Sequence, residues 1–106
     1  MLRSRLALVV LLALSACAGA LPVVTESDAR RSGTALDRLA AGRTRYIDKC
    51  SGCHAPFSPD HLTAAAWPAE VAEMSERARL GPEDVDLIVS YLAAFAAESQ
   101  VASPLP

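Results

Sequence analysis

The sequence has few aromatic residues, few cysteines and no apolar run long enough to cross a membrane. Its 106 residues include one Trp, two Tyr, two Phe and three Cys, although 52% of the residues are apolar. Alanine supplies much of that apolar fraction, and because an alanine side chain buries little surface, we expect a sparse core. Small domains of this kind often depend on a metal, a disulfide or similar support. The composition therefore predicts one small domain with a bound cofactor or cross-link.

The sequence also lacks strand-like alternation, internal repeats and a dense basic patch. Apolar residues recur instead at spacings of three and four, which predicts an all-α fold of three to four short helices. Ten residues are Lys or Arg, and removing Arg3 and Arg5 leaves eight against the 12 Asp and Glu, so the chain from Cys17 onward carries about −4. We therefore expect no nucleic-acid partner.

Residues 1–16 have the features of an export signal. Arg3 and Arg5 precede an apolar run over residues 6–14, which is shorter than the ~20 residues of a membrane-spanning helix. The run ends in the letters LSAC, which resemble a bacterial lipobox with Cys17 as the lipidated residue. Ordinary secretory cleavage after the letters AGA, residues 18–20, is the alternative. The first predicts a protein anchored by lipid on the periplasmic side of a bacterial membrane, and the second a soluble periplasmic protein.

The rest of the chain divides by composition. Residues 17–33 mix small, polar and charged residues without apolar periodicity, which predicts a flexible tether. Residues 34–98 contain the helical patterns and are the predicted folded domain. Residues 99–106 are expected to form a disordered tail.

Helix signals within the domain predict a first helix over residues 34–49, in which Leu36, Leu39, Arg43 and Ile47 share one helical face. Thr63 is the expected cap of a second helix over residues 64–79, in which Pro68 either occupies the first turn or makes a kink.

The last helix is expected to begin at Pro82, directly after Gly81, which is predicted to cap the C-terminus of the second helix. Its apolar stripe is predicted to contain Val85, Ile88, Val89, Leu92 and Phe95.

The letters CSGCH, residues 50–54, carry the chemistry of the chain. Two cysteines at this spacing can form a disulfide, bind a metal or attach haem. A zinc site needs reduced cysteines, which the oxidising environment of an exported protein disfavours, and the sequence has no second cluster of zinc ligands. C-x-x-C-H is the attachment signature of c-type haem, in which Cys50 and Cys53 form thioethers with the two vinyl groups and His54 is an axial iron ligand.

The sequence around this motif resembles the class I cytochrome c family. In GRTRYIDKCSGCH, Gly42 lies eight residues and Tyr46 four residues before the first cysteine, as in the first helix of the family. LIVSYL, residues 87–92, is similar to the C-terminal helix, with Ile88 and Tyr91 at packing positions. The resemblance implies a small cytochrome c-like fold around one covalently bound haem c, with the two helices crossing closely at Gly42.

The family resemblance also suggests the second axial ligand. Met74 lies twenty residues after His54, in the part of the chain where class I cytochromes place their methionine ligand, on one helical face with Trp67 and Val71. The alternative is that Met74 only fills the core. His61 is the other candidate ligand, although a loop histidine is more often solvated. Trp67 is expected either to contact the haem or to pack in the core.

These expectations describe a monohaem cytochrome that carries single electrons to or from an exported dehydrogenase, reductase or oxidase. No general base or nucleophile is convincingly placed, so we do not expect an enzyme in its own right. The alternatives are a haem-based sensor or gas-binding protein, a haem subunit of a larger exported oxidoreductase complex, and a structural lipoprotein with a disulfide between Cys50 and Cys53.

Overall fold

The computed structural model describes residues 21–52 and 55–97. The predicted signal peptide, Cys17, Cys53, His54 and the predicted tail over residues 99–106 lie outside the described residues. The described chain is helical, which confirms the all-α prediction, and its β structure is limited there to one bridge between Thr63 and Ala97. The helices are α1 (Glu26–Ser32), α2 (Leu36–Cys50), a 3₁₀ helix (Pro59–His61), α3 (Trp67–Ser75) and α4 (Pro82–Ala94).

The close crossing of α2 and α4 organises the fold. Gly42 is buried there, and a Cβ atom on it would overlap the carbonyl oxygen of Leu87 and lie 2.9 Å from the Cβ of Tyr91. Only a residue without a side chain fits at this separation. The crossing that the family resemblance implied at Gly42 is therefore confirmed.

The buried face of α2 differs from the predicted one. Leu39, Gly42 and Tyr46 are the buried residues of this helix, whereas the predicted face member Leu36 is 39% exposed. The reason is that α2 packs on α4 through Gly42. A glycine adds nothing to an apolar sequence pattern, so the pattern did not include it. The predicted stripe of α4 does face the core, since Ile88 and Leu92 are buried and Val85, Val89 and Phe95 pack against the core cluster. The helix also buries Leu87, Tyr91 and Ala94.

One apolar cluster forms the core between α2, α3 and α4. Its members are buried side chains from all three helices: Tyr46, Trp67, Val71, Ile88, Tyr91 and Leu92. Their aromatic rings meet at an angle, since the ring centroids of Tyr46 and Tyr91 lie 6.3 Å apart with an interplanar angle of 46°. Aromatic rings supply much of the buried apolar area, which compensates for the many alanines.

The start of α3 settles the alternatives at Pro68. The helix begins at Trp67 and Pro68 lies in its first turn, where a missing N–H leaves no intrahelical hydrogen bond unmade. Thr63 is not the cap, because the N-cap position belongs to Ala66. The carbonyl oxygen of Thr63 instead accepts from the N–H groups of Ala66 and Trp67.

The end of α3 also differs from the prediction. The N–H of Leu80 donates to Ser75 (2.9 Å) and the N–H of Arg79 donates to Glu76 (3.3 Å), the two bonds of a Schellman-type cap. The left-handed residue in this turn is Arg79, with φ 54°. Gly81 has φ −77° and is the N-cap of α4, so the predicted C-terminal cap was assigned to the wrong residue.

The described part of the predicted tether is ordered rather than flexible. Residues 26–32 form α1, whose N-terminus has a capping box between Thr25 and Asp28 and whose C-cap is Gly33 with φ 69°. The hydrogen bonds from Thr25 to the Asp28 carboxylate lower the pKa of Asp28. These local signals, a Thr three residues before an Asp and a Gly after the last turn, favour a short helix.

Long-range contacts hold the same segment on the domain. The Arg43 Nε donates to the carbonyl oxygen of Pro22 (3.0 Å), and the hydroxyl of Tyr91 donates to the same oxygen (2.7 Å). Arg31 Nη1 donates to the carbonyl oxygen of Ala94 (2.8 Å). The prediction of a flexible tether therefore does not hold over residues 21–33. Among the described residues, no helix is both long enough and apolar enough to span a membrane.

Candidate haem site

The first residue of the haem-attachment motif lies at the edge of the apolar core. Cys50 is the last residue of α2, one helical turn after Tyr46, and its half-buried side chain packs against the core cluster. Residues one turn apart share a helix face, so the helix that buries Tyr46 also brings the Cys50 sulfur to apolar surroundings. The structure does not describe Cys53 and His54, and their roles remain predictions.

The chain that leaves the motif is held by two aromatic side chains. The Tyr46 hydroxyl donates to the carbonyl oxygen of Phe57 (2.7 Å), and the Trp67 Nε1–H donates to the carbonyl oxygen of Pro59 (2.8 Å). Tyr46 is 5% and Trp67 3% exposed, and Pro59 is among the fully buried residues. The sequence singled out both aromatic residues but not their acceptors, because every residue has a backbone carbonyl and no residue type identifies the one that accepts.

Both core tyrosines have raised pKa values. Burial first, and then interactions with Cys50 and Tyr91, raise the pKa of Tyr46 to about 12 against the lowering effect of its hydrogen bond to Phe57. Burial also raises the pKa of Tyr91, although the Arg43 cation opposes that shift. The Tyr46 hydroxyl therefore remains a hydrogen-bond donor to the loop throughout the neutral pH range.

Met74 lies on α3, one turn after the buried Val71 and two turns after the buried Trp67. Its side chain is half-buried. Ligation of iron by Met74 stays a prediction, with a space-filling role as the alternative.

His61 lies on the surface. It is the last residue of the 3₁₀ helix, its side chain is exposed, and its ring stacks on Phe57 with centroids 4.5 Å apart and an interplanar angle of 8°. This placement agrees with a solvated loop histidine.

The described residues fit a covalently attached haem. A cysteine sulfur at a helix end, against an aromatic and aliphatic cluster, suits a thioether to an apolar porphyrin. The loop that follows the motif is closed over the same cluster by Tyr46 and Trp67. Phe57 remains 49% exposed, which leaves apolar surface beside the motif for further contacts.

Comparison with protein families decides the class. A family model described as dihaem cytochrome c matches residues 46–106, a stretch that includes the whole CSGCH motif and three of the four α-helices at least in part. The chain belongs to the dihaem cytochrome c family. It is accordingly a c-type cytochrome, as the motif predicted, and its haem and electron-transfer character follow from that family.

Two curated relatives agree with this assignment. The cytochrome c-type protein TorY of Escherichia coli O157:H7 is 38% identical over 42 residues, which is 40% of this chain and 12% of the relative. TorY of Haemophilus influenzae is 39% identical over 44 residues, which is 42% of this chain and again 12% of the relative. The match thus spans about an eighth of the length of these proteins. No solved structure matches the chain significantly.

The prediction of a single haem is wrong. The family is a dihaem family, which points to two haems. The motif over residues 50–54 accounts for the attachment of one haem, and the 106 residues contain no second C-x-x-C-H. The sequence pattern predicted a c-type haem but not the family's haem number, because a motif count reports only the attachment sites within these 106 residues.

Proposed function

We propose that this c-type cytochrome is an exported electron carrier that passes single electrons between redox partners. The observation that carries the proposal is the C-x-x-C-H motif inside the stretch matched by the dihaem cytochrome c family. The position of Cys50 at the end of α2, against the core cluster, supports it. Bound haem would supply an iron that changes between the ferric and ferrous states.

The residues of this chain have distinct roles in the proposal. Cys50 and Cys53 would attach the porphyrin through thioethers, and His54 would bind the iron. Met74 would be the second iron ligand, and a methionine ligand favours ferrous iron more than a second histidine would. Burial of Tyr46 and Trp67 beside the motif keeps water away from the attached group.

We further propose that the partner is an exported dehydrogenase, reductase or oxidase, and that a lipid on Cys17 anchors the protein on the periplasmic side of a bacterial membrane. A role as a haem subunit of a larger oxidoreductase complex is also supported, since the chain matches 12% of two longer c-type proteins. In either case the cytochrome itself transfers electrons and leaves substrate chemistry to its partner.

Replacing both attachment cysteines tests the proposal. Cys50→Ala combined with Cys53→Ala should leave no haem on the chain after denaturing electrophoresis, because no thioether can form. Met74→Ala is the matched control, since it removes a predicted iron ligand and should keep the covalent haem. Covalent haem that survives the double replacement would contradict the proposal.

A visible spectrum of the exported wild-type protein separates the remaining alternatives. An electron carrier with two axial ligands should give sharp six-coordinate bands in both oxidation states. A five-coordinate spectrum would favour a sensor or gas-binding protein, and the absence of haem bands would favour a structural lipoprotein with a disulfide.

A further inference from the structure

A hydrogen bond from Tyr46 connects the chain before the haem-attachment motif to the chain after it. Tyr46 precedes Cys50 by one helical turn, and its hydroxyl donates to the carbonyl oxygen of Phe57, three residues after His54. One hydrogen bond of 2.7 Å therefore joins the helix before the motif to the loop after it. The donor is 5% exposed, so water competes little for this bond.

Trp67 fixes the same loop from its other end. Its indole N–H donates to the carbonyl oxygen of Pro59 in a buried hydrogen bond of 2.8 Å. The indole N–H is thereby occupied, so Trp67 acts on the loop and not as a donor to a haem propionate. Pro59 is fully buried, and its ring restricts the backbone at the anchored position.

We propose that Tyr46 and Trp67 are positioning residues for His54. Their hydrogen bonds hold the backbone that leaves the axial histidine, and a fixed backbone limits the orientations that the imidazole can adopt at the iron. The inference rests on the proposed haem function and extends it to two side chains that need not touch the iron.

Loss of either hydrogen bond should act on the haem through the loop. A mobile loop lets His54 take several orientations, which broadens the electron paramagnetic resonance signals of the ferric form. It also admits water, which favours the more highly charged ferric iron and lowers the reduction potential. Because the lost hydrogen bond no longer opposes opening of the loop, we expect external cyanide or imidazole to bind the ferric protein about tenfold faster.

The matched pair Tyr46→Phe and Tyr91→Phe tests this in the haem-loaded full chain. Each variant removes one hydroxyl that donates at 2.7 Å to a backbone carbonyl, but the acceptor of Tyr91 is Pro22 in the N-terminal segment. We expect the smaller loss of stability in Tyr91→Phe, because the Pro22 carbonyl oxygen still accepts from the Arg43 Nε. Only Tyr46→Phe should lower the potential, broaden the ferric signals, speed cyanide or imidazole binding and raise amide hydrogen exchange over residues 55–60.

A second pair tests Trp67. Trp67→Phe removes the donor to Pro59, whereas Val71→Ala makes an apolar cavity one turn further along the same helix without losing a hydrogen bond to the loop. Trp67→Phe should reproduce the haem changes of Tyr46→Phe, and Val71→Ala should only destabilise the fold.

The outcomes of these experiments distinguish failure of the positioning role from failure of the proposed function. Equal haem properties in Tyr46→Phe and Tyr91→Phe, with haem still attached, would overturn the positioning role and leave the proposed function standing. A wild-type protein without haem would overturn both proposals before any variant is compared.

Discussion

At the scale of single residues, two buried tyrosines with the same chemistry serve different parts of the molecule. Both hydroxyls donate to backbone carbonyls at 2.7 Å. Tyr46 holds the loop after the haem motif, and Tyr91 holds the N-terminal segment at Pro22. Their residue types and burial are alike, so the acceptor alone distinguishes their roles.

The raised pKa of Tyr46 predicts a loss of stability at alkaline pH. The tyrosine pKa is near 10.0 in the unfolded chain and about 12 for Tyr46 in the folded one. The unfolded state therefore loses this proton first, and the stabilisation present below pH 10 should disappear as the pH rises through about 12. Tyr46→Phe should remove that part of the pH dependence, measured as urea midpoints at about pH 9 and about pH 11. Identical pH dependence in the wild type and Tyr46→Phe would contradict the shift.

Met74 is the residue whose role needs the most direct test. Met74→Ala should abolish the weak far-red sulfur-to-iron absorption of the ferric form, open the sixth coordination site of the ferrous form to carbon monoxide, and lower the potential. Met74→His should restore six-coordination while the potential stays low. Val71→Ala, on the same helix, should leave the far-red band in place. An unchanged spectrum in Met74→Ala would show that Met74 only fills space, and His61 would be the next residue to replace.

At the scale of secondary-structure elements, the α2–α4 crossing is the most constrained feature. Gly42 brings α2 within backbone contact of Leu87 on α4. Two surface ion pairs flank this contact, between Arg38 and Asp86 and between Arg45 and the half-buried Asp84, but surface pairs contribute little to stability. The crossing therefore depends on the missing side chain of Gly42.

Gly42→Ala should separate the two helices. Alanine favours a helix by about 1 kcal/mol relative to glycine, yet its Cβ would overlap the Leu87 carbonyl oxygen, and overpacking of this kind costs about 1–3 kcal/mol. We expect a net loss of stability in chemical denaturation followed by circular dichroism. Gly81→Ala is the steric control, because a Cβ there meets no atom within 4 Å and only the weak N-cap preference of alanine should cost stability. A Gly42→Ala protein as stable as the wild type would show that the crossing tolerates a side chain.

At the scale of the whole molecule, the N-terminal segment places the fold close to the predicted lipid. Leu21 and Pro22 are already bound to Arg43, and three residues separate Leu21 from Cys17. Four peptide steps of extended chain span at most about 14 Å. A lipid on Cys17 would therefore keep the haem domain near the membrane surface, in contrast to the long flexible tether expected from composition.

Cys17→Ser tests the anchor. If Cys17 is lipidated, the variant should be found unprocessed or in the soluble fraction, because the acceptor of the lipid is gone, while the wild type sediments with membranes. Mass spectrometry of the mature N-terminus decides between the two processing routes. A wild-type chain that begins at Leu21 without acyl groups would favour ordinary secretory cleavage.

The sequence alone determined the features that depend on neighbouring residues. The c-type cytochrome class was indicated by the spacing of Cys50, Cys53 and His54, and the helical class follows from apolar periodicity. The first turn of α4 follows from Pro82 and its acidic neighbours, which the structure confirms. The capping box at Thr25 was equally local and could have predicted α1.

The tertiary structure decided what depends on residues far apart in the chain. The face of α2 is set by the fit of Gly42 under α4, which a hydrophobicity pattern cannot register. The order of residues 21–33 depends on hydrogen bonds from Arg43 and Tyr91. The loop after the CSGCH motif is fixed by hydrogen bonds from Tyr46 and Trp67 to two backbone carbonyls. Carbonyl acceptors are the same in every residue type, so only the folded arrangement shows which of them a side chain reaches.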